Sequence, residues 1–433
     1  MNATRLDRPD GTVLAYPVLR WDRWSVLRAL HLPPLRRVAF SWAGGNGVAA
    51  DRLERLPDTR EAIERGIGER LHLGAQVYVS LGGEVVADAA VGENRPGEPL
   101  TPGHLMLWLS STKPVAAVAV SQLWERGLLE LDDPVARHIP EFAAHGKEAI
   151  TLRHLLTHTA GIRMLEVGWP GEPWERIVAR IAAMRPEPRW VPGRKAGYHL
   201  ASSWFMLGEV VRRLDGRSFS TYVRDEIFAP LGMLDSWVGM PVERYRAYLS
   251  AGRIGAMYDT SNVQSERGER AAGAQTWDSE AWCTGTNPGG NGYGPLRELG
   301  RFYEMLLGRG RVPAGVPGGA GRSILSSQAV EALTARHRTG MVDHTFQHVI
   351  DWGLGFIVDS RQYGADTVPY GYGHHASPRT FGHSGNRSST GFADPERGLA
   401  VALTFNGMPS SAEHESRIRA VLDAIYCDLG LLS

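Results

Sequence analysis

The chain has 433 residues, 43% of them apolar and 22% charged, with 47 basic and 47 acidic side chains. This is ordinary globular composition and excludes a disordered chain, a coiled coil and a collagen-like repeat. Zero formal net charge gives no basic face for nucleic acid, and none of the three lysines (Lys113, Lys147 and Lys195) has the Gly-Lys-Ser/Thr setting of a phosphate-binding loop.

The two cysteines, Cys283 and Cys427, lie far apart and suggest neither a disulfide scaffold nor a zinc knuckle. Both are expected to be buried thiols in a reducing compartment. The opening MNATRLDRPDG has no apolar core of a secretory signal, and no run of about 18 apolar residues follows. The expectation is a cytoplasmic protein with no membrane partner.

Residues 1–60 read as an N-terminal extension. They hold Trp21, Trp24 and Trp42 and a glycine-rich break at Gly44–Gly47, and are expected to pack onto the main body. The main body, 61–433, opens with an amphipathic helix in EAIERGIGERL. The runs AQVYVSL and EVVADAAV, joined by Gly82 and Gly83, predict a β-hairpin.

The stretch from about 115 to 310 reads as a mainly helical insert, with helices in PVAAVAVSQLWERG, TLRHLLTHTAG, SSWFMLGEVVRRLDG and PLRELGRFYEMLLGRG. Several of these end in glycine, as helices commonly do. Between Met240 and Pro295 the pattern weakens into an irregular segment suited to shaping a pocket. Strands return in GLGFIVDS, RTFGHSG, STGFADP and GLAVALTFNG, and a last helix covers SAEHESRIRAVLDAIYCDL. Strands at both ends and helices between predict an α+β fold, with one antiparallel sheet built from both termini and flanked by helices.

Four segments carry candidate chemistry. In Ser110-Ser111-Thr112-Lys113, the S-x-x-K spacing puts hydroxyl and amine on one helix face. A serine hydroxyl needs a neighbouring proton acceptor to become a nucleophile, and a desolvated lysine supplies one once its pKa falls from about 10.4. Pro114 suits the first turn of the helix that follows.

In Thr157-His158-Thr159-Ala160-Gly161, His154 and His158 stand four apart, but H-E-x-x-H is absent and no metal is expected. The segment reads as a helix end capped by Gly161. The third candidate is Tyr198, just before an amphipathic helix. The fourth is Gly382-His383-Ser384-Gly385, which lacks the second glycine of a nucleophile elbow because Asn386 follows. It reads as an edge strand beside a pocket.

Together these pieces resemble one family, the serine β-lactamase and penicillin-binding-protein-like superfamily in its class C-like branch. LLTHTAGI, DEIFAPLGML, NGYGPLRELGRFYEMLL and FADPERGL are similar to stretches typical of that branch, and the resemblance runs over about residues 60–430. It implies a β-lactamase/transpeptidase-like fold, Ser110 as the acylated nucleophile, Lys113 as its activating lysine and Tyr198 as general base. It also implies an oxyanion hole from the backbone N–H groups of Ser110 and Asn386, with His383, Ser384 and Gly385 on the substrate-binding strand.

Two positions depart from the β-lactamase pattern. Leu200 stands where those enzymes carry an asparagine that holds the substrate amide. His383 stands where they carry a lysine, and is expected to line the acyl site and to add positive charge only on the acid side, near pH 6.5. Both changes point away from β-lactams and towards an ester, thioester or small amide. The expected function is a serine acyl hydrolase working through an acyl-enzyme. A transacylase of secondary metabolism, a D-amino-acid peptidase and a catalytically silent scaffold are the alternatives. The expected partner is a small-molecule acyl substrate, with a second acceptor if the acyl group is transferred. No cofactor is implied.

Overall fold

The computed structural model describes residues 4–7, 13–16, 52–163, 166–261 and 277–432. Of the N-terminal extension, it describes the antiparallel pair Thr4–Asp7 and Val13–Tyr16 and the chain from residue 52. Trp21, Trp24, Trp42 and Gly44–Gly47 lie outside the described residues.

A seven-stranded antiparallel sheet draws on both ends of the body. Its spatial order is Ile357–Val358, Phe381–Ser384, Ser389–Asp394, Leu399–Phe405, Gly74–Leu81, Glu84–Arg95 and Glu98–Pro99. Gly82 and Gly83 both take positive φ, 61° and 86°, as the tight hairpin turn between two strands requires.

Side chains on the central strands alternate between two cores, following the period of two of a strand. Val77, Val79, Val401 and Leu403 meet the terminal helices Pro57–Gly68 and Ser411–Asp428 through Ile63, Ile418 and Leu422. Tyr78, Ala400 and Ala402 turn the other way, onto Phe302 and Tyr303 of the helix Leu296–Leu307. That helix lies close on the sheet because Gly300 leaves room for the Tyr78 ring, where any Cβ would collide.

The insert contains the four expected helices, as Lys113–Glu125, Leu152–Leu156, Ser202–Asp215 and Leu296–Leu307. Lys113–Glu125 is buried on nearly every side, which explains its continuous run of Val and Ala. The second helix differs from expectation. It stops at Leu156, and the left-handed residue after it is His158 (φ 57°), so Gly161 is not its cap. Gly161 (φ 73°) instead admits the Trp190 ring, against which a Cβ would clash.

A second, three-stranded sheet of Met106–Leu109, Gly292–Gly294 and Trp237–Val238 was not foreseen. It delivers the chain to Ser110. Leu109 (φ 49°) makes the bend into a short 3-10 turn, Ser110–Thr112, that runs straight into Lys113–Glu125. Cys283 is buried but Cys427 is exposed on the last helix, so the expectation of two buried thiols fails for Cys427.

Candidate active site

Ser110 is buried, 8% exposed, at the junction of the two sheets and the helical insert. Its Oγ lies 2.8 Å from Lys113 Nζ and accepts a hydrogen bond from the Tyr198 hydroxyl, also at 2.8 Å. The three side chains singled out from the sequence therefore meet at one oxygen, although Tyr198 comes from a distant loop.

Lys113 is fully buried, and desolvation pushes its amine well below the ordinary lysine value. Its Nζ has two further neighbours, the carbonyls of Leu200 at 3.0 Å and Gly289 at 2.7 Å. Carbonyls only accept, so an ammonium donates to both of them and to Ser110 Oγ, whereas a neutral amine gives its two hydrogens to the carbonyls and keeps its lone pair for the Ser110 hydroxyl. In the neutral form the amine can take the Ser110 proton.

Tyr198 is driven the other way. Burial raises its phenol well above the usual value, so the neutral form is strongly held. In its neutral form Tyr198 donates to Ser110 Oγ, and desolvation works against both a phenolate and a lysine ammonium here.

The carbonyls of Leu200 and Gly289 escaped sequence reasoning because they act through main chain. At 200 the side chain is 45% exposed while the carbonyl turns in to Lys113. At 289 the signal was the Gly-Gly pair in NPGGNGYG: a Cβ on Gly289 would press 2.7 Å from the Trp204 ring. The loop is pinned by Asn287 Oδ1, which accepts the Gly289 N–H at 3.1 Å, and by Asn291 Oδ1, which accepts the Asn287 N–H at 2.9 Å.

The strand Phe381–Ser384 is not an edge strand, as expected, but next to the edge. Ile357–Val358 pairs with Gly382 and Phe381 only, so the outer side of His383 and Ser384 has no strand partner among the described residues and turns to the Ser110 turn. There Ser111 Oγ donates to the His383 carbonyl at 3.0 Å. Gly385 is required by space: a Cβ would come 2.5 Å from the Trp108 carbonyl and 2.9 Å from Leu109 Cβ. Ser384 Oγ donates to Thr390 Oγ1 at 3.0 Å, which commits its hydrogen to the sheet. The backbone N–H groups of Ser110 and Asn386 donate to no protein acceptor among the described residues, and Asn386 is exposed.

At His383 the surroundings act against a positive charge. It is 1% exposed, and burial drives its imidazole well below 6.5. Its Nδ1 lies 2.9 Å from the Ser384 carbonyl, which fixes the hydrogen on Nδ1 and leaves Nε2 a bare acceptor. A neutral ring of this tautomer offers a carboxylate nothing.

No described helix is long and apolar enough to cross a membrane.

The family model described as Beta-lactamase matches residues 59–426. The esterase/beta-lactamase LipL of Mycobacterium tuberculosis is 28% identical over 370 residues, covering 78% of each chain. The esterase EstB of Burkholderia gladioli is 27% identical over 391 residues, 84% of this chain and 93% of its own. A solved penicillin-binding-protein homologue from Caulobacter crescentus superposes with a TM-score of 0.69 at 30% identity, over 87% of this chain and 98% of its own. With the fold, the match over most of the body and the meeting of Ser110, Lys113 and Tyr198, this chain belongs to the beta-lactamase family.

Proposed function

We propose that the protein is a serine acyl hydrolase that cleaves esters through an acyl-enzyme on Ser110. The observation that carries this reading is the single oxygen, Ser110 Oγ, held 2.8 Å from a desolvated lysine amine and 2.8 Å from a phenol. The names of the two relatives, an esterase/beta-lactamase and an esterase, agree with acyl hydrolysis.

In the first step Ser110 gives its proton to Lys113 Nζ as Oγ bonds to the substrate carbonyl carbon. The oxyanion that forms lies between the N–H groups of Ser110 and Asn386, donors typically worth about 2.7–4 kcal/mol each in a transition state. The bond to the leaving oxygen then breaks, and that oxygen takes the Tyr198 proton. The Lys113 ammonium, 5.0 Å from the centre of the Tyr198 ring, returns the proton to the phenolate. In the second step water attacks the acyl carbon, gives up a proton to the neutral Lys113 amine, and Ser110 leaves reprotonated.

Esters are favoured over β-lactams by two positions. Leu200 supplies no side-chain amide for a substrate amide, and His383 is neutral and buried where a carboxylate would need a cation. The test compares a p-nitrophenyl ester with a chromogenic cephalosporin. The expected ratio of kcat/KM is at least about 10²-fold in favour of the ester, as when a polar partner is missing. Comparable turnover of the cephalosporin would overturn the ester reading.

A further inference from the structure

Tyr198 is held from both sides by one residue that is shut from solvent. His158 is fully buried, with a left-handed backbone (φ 57°) that side-chain-bearing residues rarely adopt. That backbone turns its carbonyl to accept the Gly197 N–H at 2.9 Å. Its ring Nδ1 accepts the His199 N–H, also at 2.9 Å. The two residues flanking Tyr198 are thus both anchored on His158, whose ring packs on the Tyr198 ring with centroids 4.7 Å apart.

The hydrogens on these rings follow from their neighbours. The Ile162 N–H points at His199 Nε2 at 3.0 Å, so the hydrogen of His199 sits on Nδ1. That Nδ1 lies 3.2 Å from His158 Nδ1. His158 Nδ1 therefore receives two donors and must carry a bare lone pair, with its hydrogen on Nε2. Burial holds the ring neutral, well below 6.5, so the acceptor persists at working pH. Asp343 and Thr345 complete the grip: Asp343 Oδ1 accepts the Tyr198 N–H at 3.1 Å, and Thr345 Oγ1 donates to the Tyr198 carbonyl at 3.2 Å.

We propose that His158 is a positioning residue for catalysis, fixing the Tyr198 hydroxyl on Ser110 through its carbonyl and its bare Nδ1. The proposal rests on the reading of Tyr198 as proton donor in acyl transfer.

The test is a double-mutant cycle on a neutral p-nitrophenyl ester, with folding checked by circular dichroism and Tm. His158→Gln puts the carboxamide carbon, which accepts no hydrogen bond, where Nδ1 stood. His158→Asn keeps an acceptor there and tolerates the left-handed backbone. His158→Gln is expected to lower kcat about 10–100-fold with KM within about twofold, and His158→Asn to recover most of it. In a Tyr198→Phe background His158→Gln should change kcat by no more than about twofold, because its effect runs through the missing hydroxyl.

A full multiplicative loss in that background would overturn the proposal while leaving the Tyr198 reading intact, as would an unchanged kcat in His158→Gln or a failure of His158→Asn to recover. Wild-type turnover in Tyr198→Phe alone would remove the Tyr198 reading and the proposal with it. Should His158→Gln not fold, His158→Ala takes its place in the cycle.

Discussion

Ser110, Lys113 and Tyr198 were legible as candidates because residue type and spacing carry them: a serine and lysine at i, i+3, and a tyrosine ahead of a helix. Their protonation states were not legible, because burial is a property of the folded chain. His383 shows the difference. In the sequence it is a histidine poised near pH 6.5, whereas in the fold it is shut from water beside an amine and titrates far lower. A folded value below the ordinary one keeps the ring neutral throughout the range from pH 8 to 6. An anionic and a neutral ester should therefore show the same change of KM with pH over that range, in wild type and in His383→Ala alike. A KM for the anionic ester that falls several-fold at pH 6, and only in wild type, would show a cationic His383.

Most helices and strands of the large sheet were readable from hydrophobic period and glycine punctuation. The three-stranded sheet was not, because Trp237–Val238 and Gly292–Gly294 are only two and three residues long and pair only through tertiary contact. The end of Leu152–Leu156 was misjudged for a similar reason, since tertiary hydrogen bonds to Gly197 and His199 hold His158 in the left-handed conformation that a glycine normally takes. Close approach of elements also decides what Gly385 does. Gly385→Ala would drive a methyl into the Trp108 carbonyl and Leu109, a backbone contact that cannot turn aside. The expected cost is about 1–3 kcal/mol of stability, read by urea denaturation. A loss of kcat should exceed what the residual folded fraction explains, because the strand leading to Asn386 shifts away from Ser110. An unchanged kcat and Tm would contradict this close packing.

Across the whole molecule, histidines are buried in quantity and held neutral. Burial lowers His72 and His199 to about 3 and His337 to about 4, and pushes His158, His383 and His414 well below 6.5. Below pH 6.5 the unfolded chain takes up protons on these rings that the folded chain refuses, so stability falls as pH falls. Most carboxylates, with unfolded values near 4, contribute little above pH 5, while Asp359, pushed up to about 6 by burial, and His374, raised by Asp423 and Asp366, offset part of the loss. Between pH 6.5 and 5 the urea midpoint should therefore drop steadily, with a slope of several protons taken up on unfolding. A flat midpoint over that interval would contradict the burial of these rings.

The antiparallel sheet from both ends of the body was foreseen because strands at the two ends and helices between leave few other ways to bury both faces. What the packing adds is the one place where sheet, insert and the 3-10 turn converge, and it is there that Ser110 lies. The most direct measurement is the intact mass of the protein after exposure to a fluorophosphonate or an activated ester. One covalent increment is expected, on the peptide that carries Ser110, and none in Ser110→Ala, a variant expected to remain folded at a cost of no more than about 0.5–2 kcal/mol. Labelling that persists undiminished in folded Ser110→Ala would contradict it.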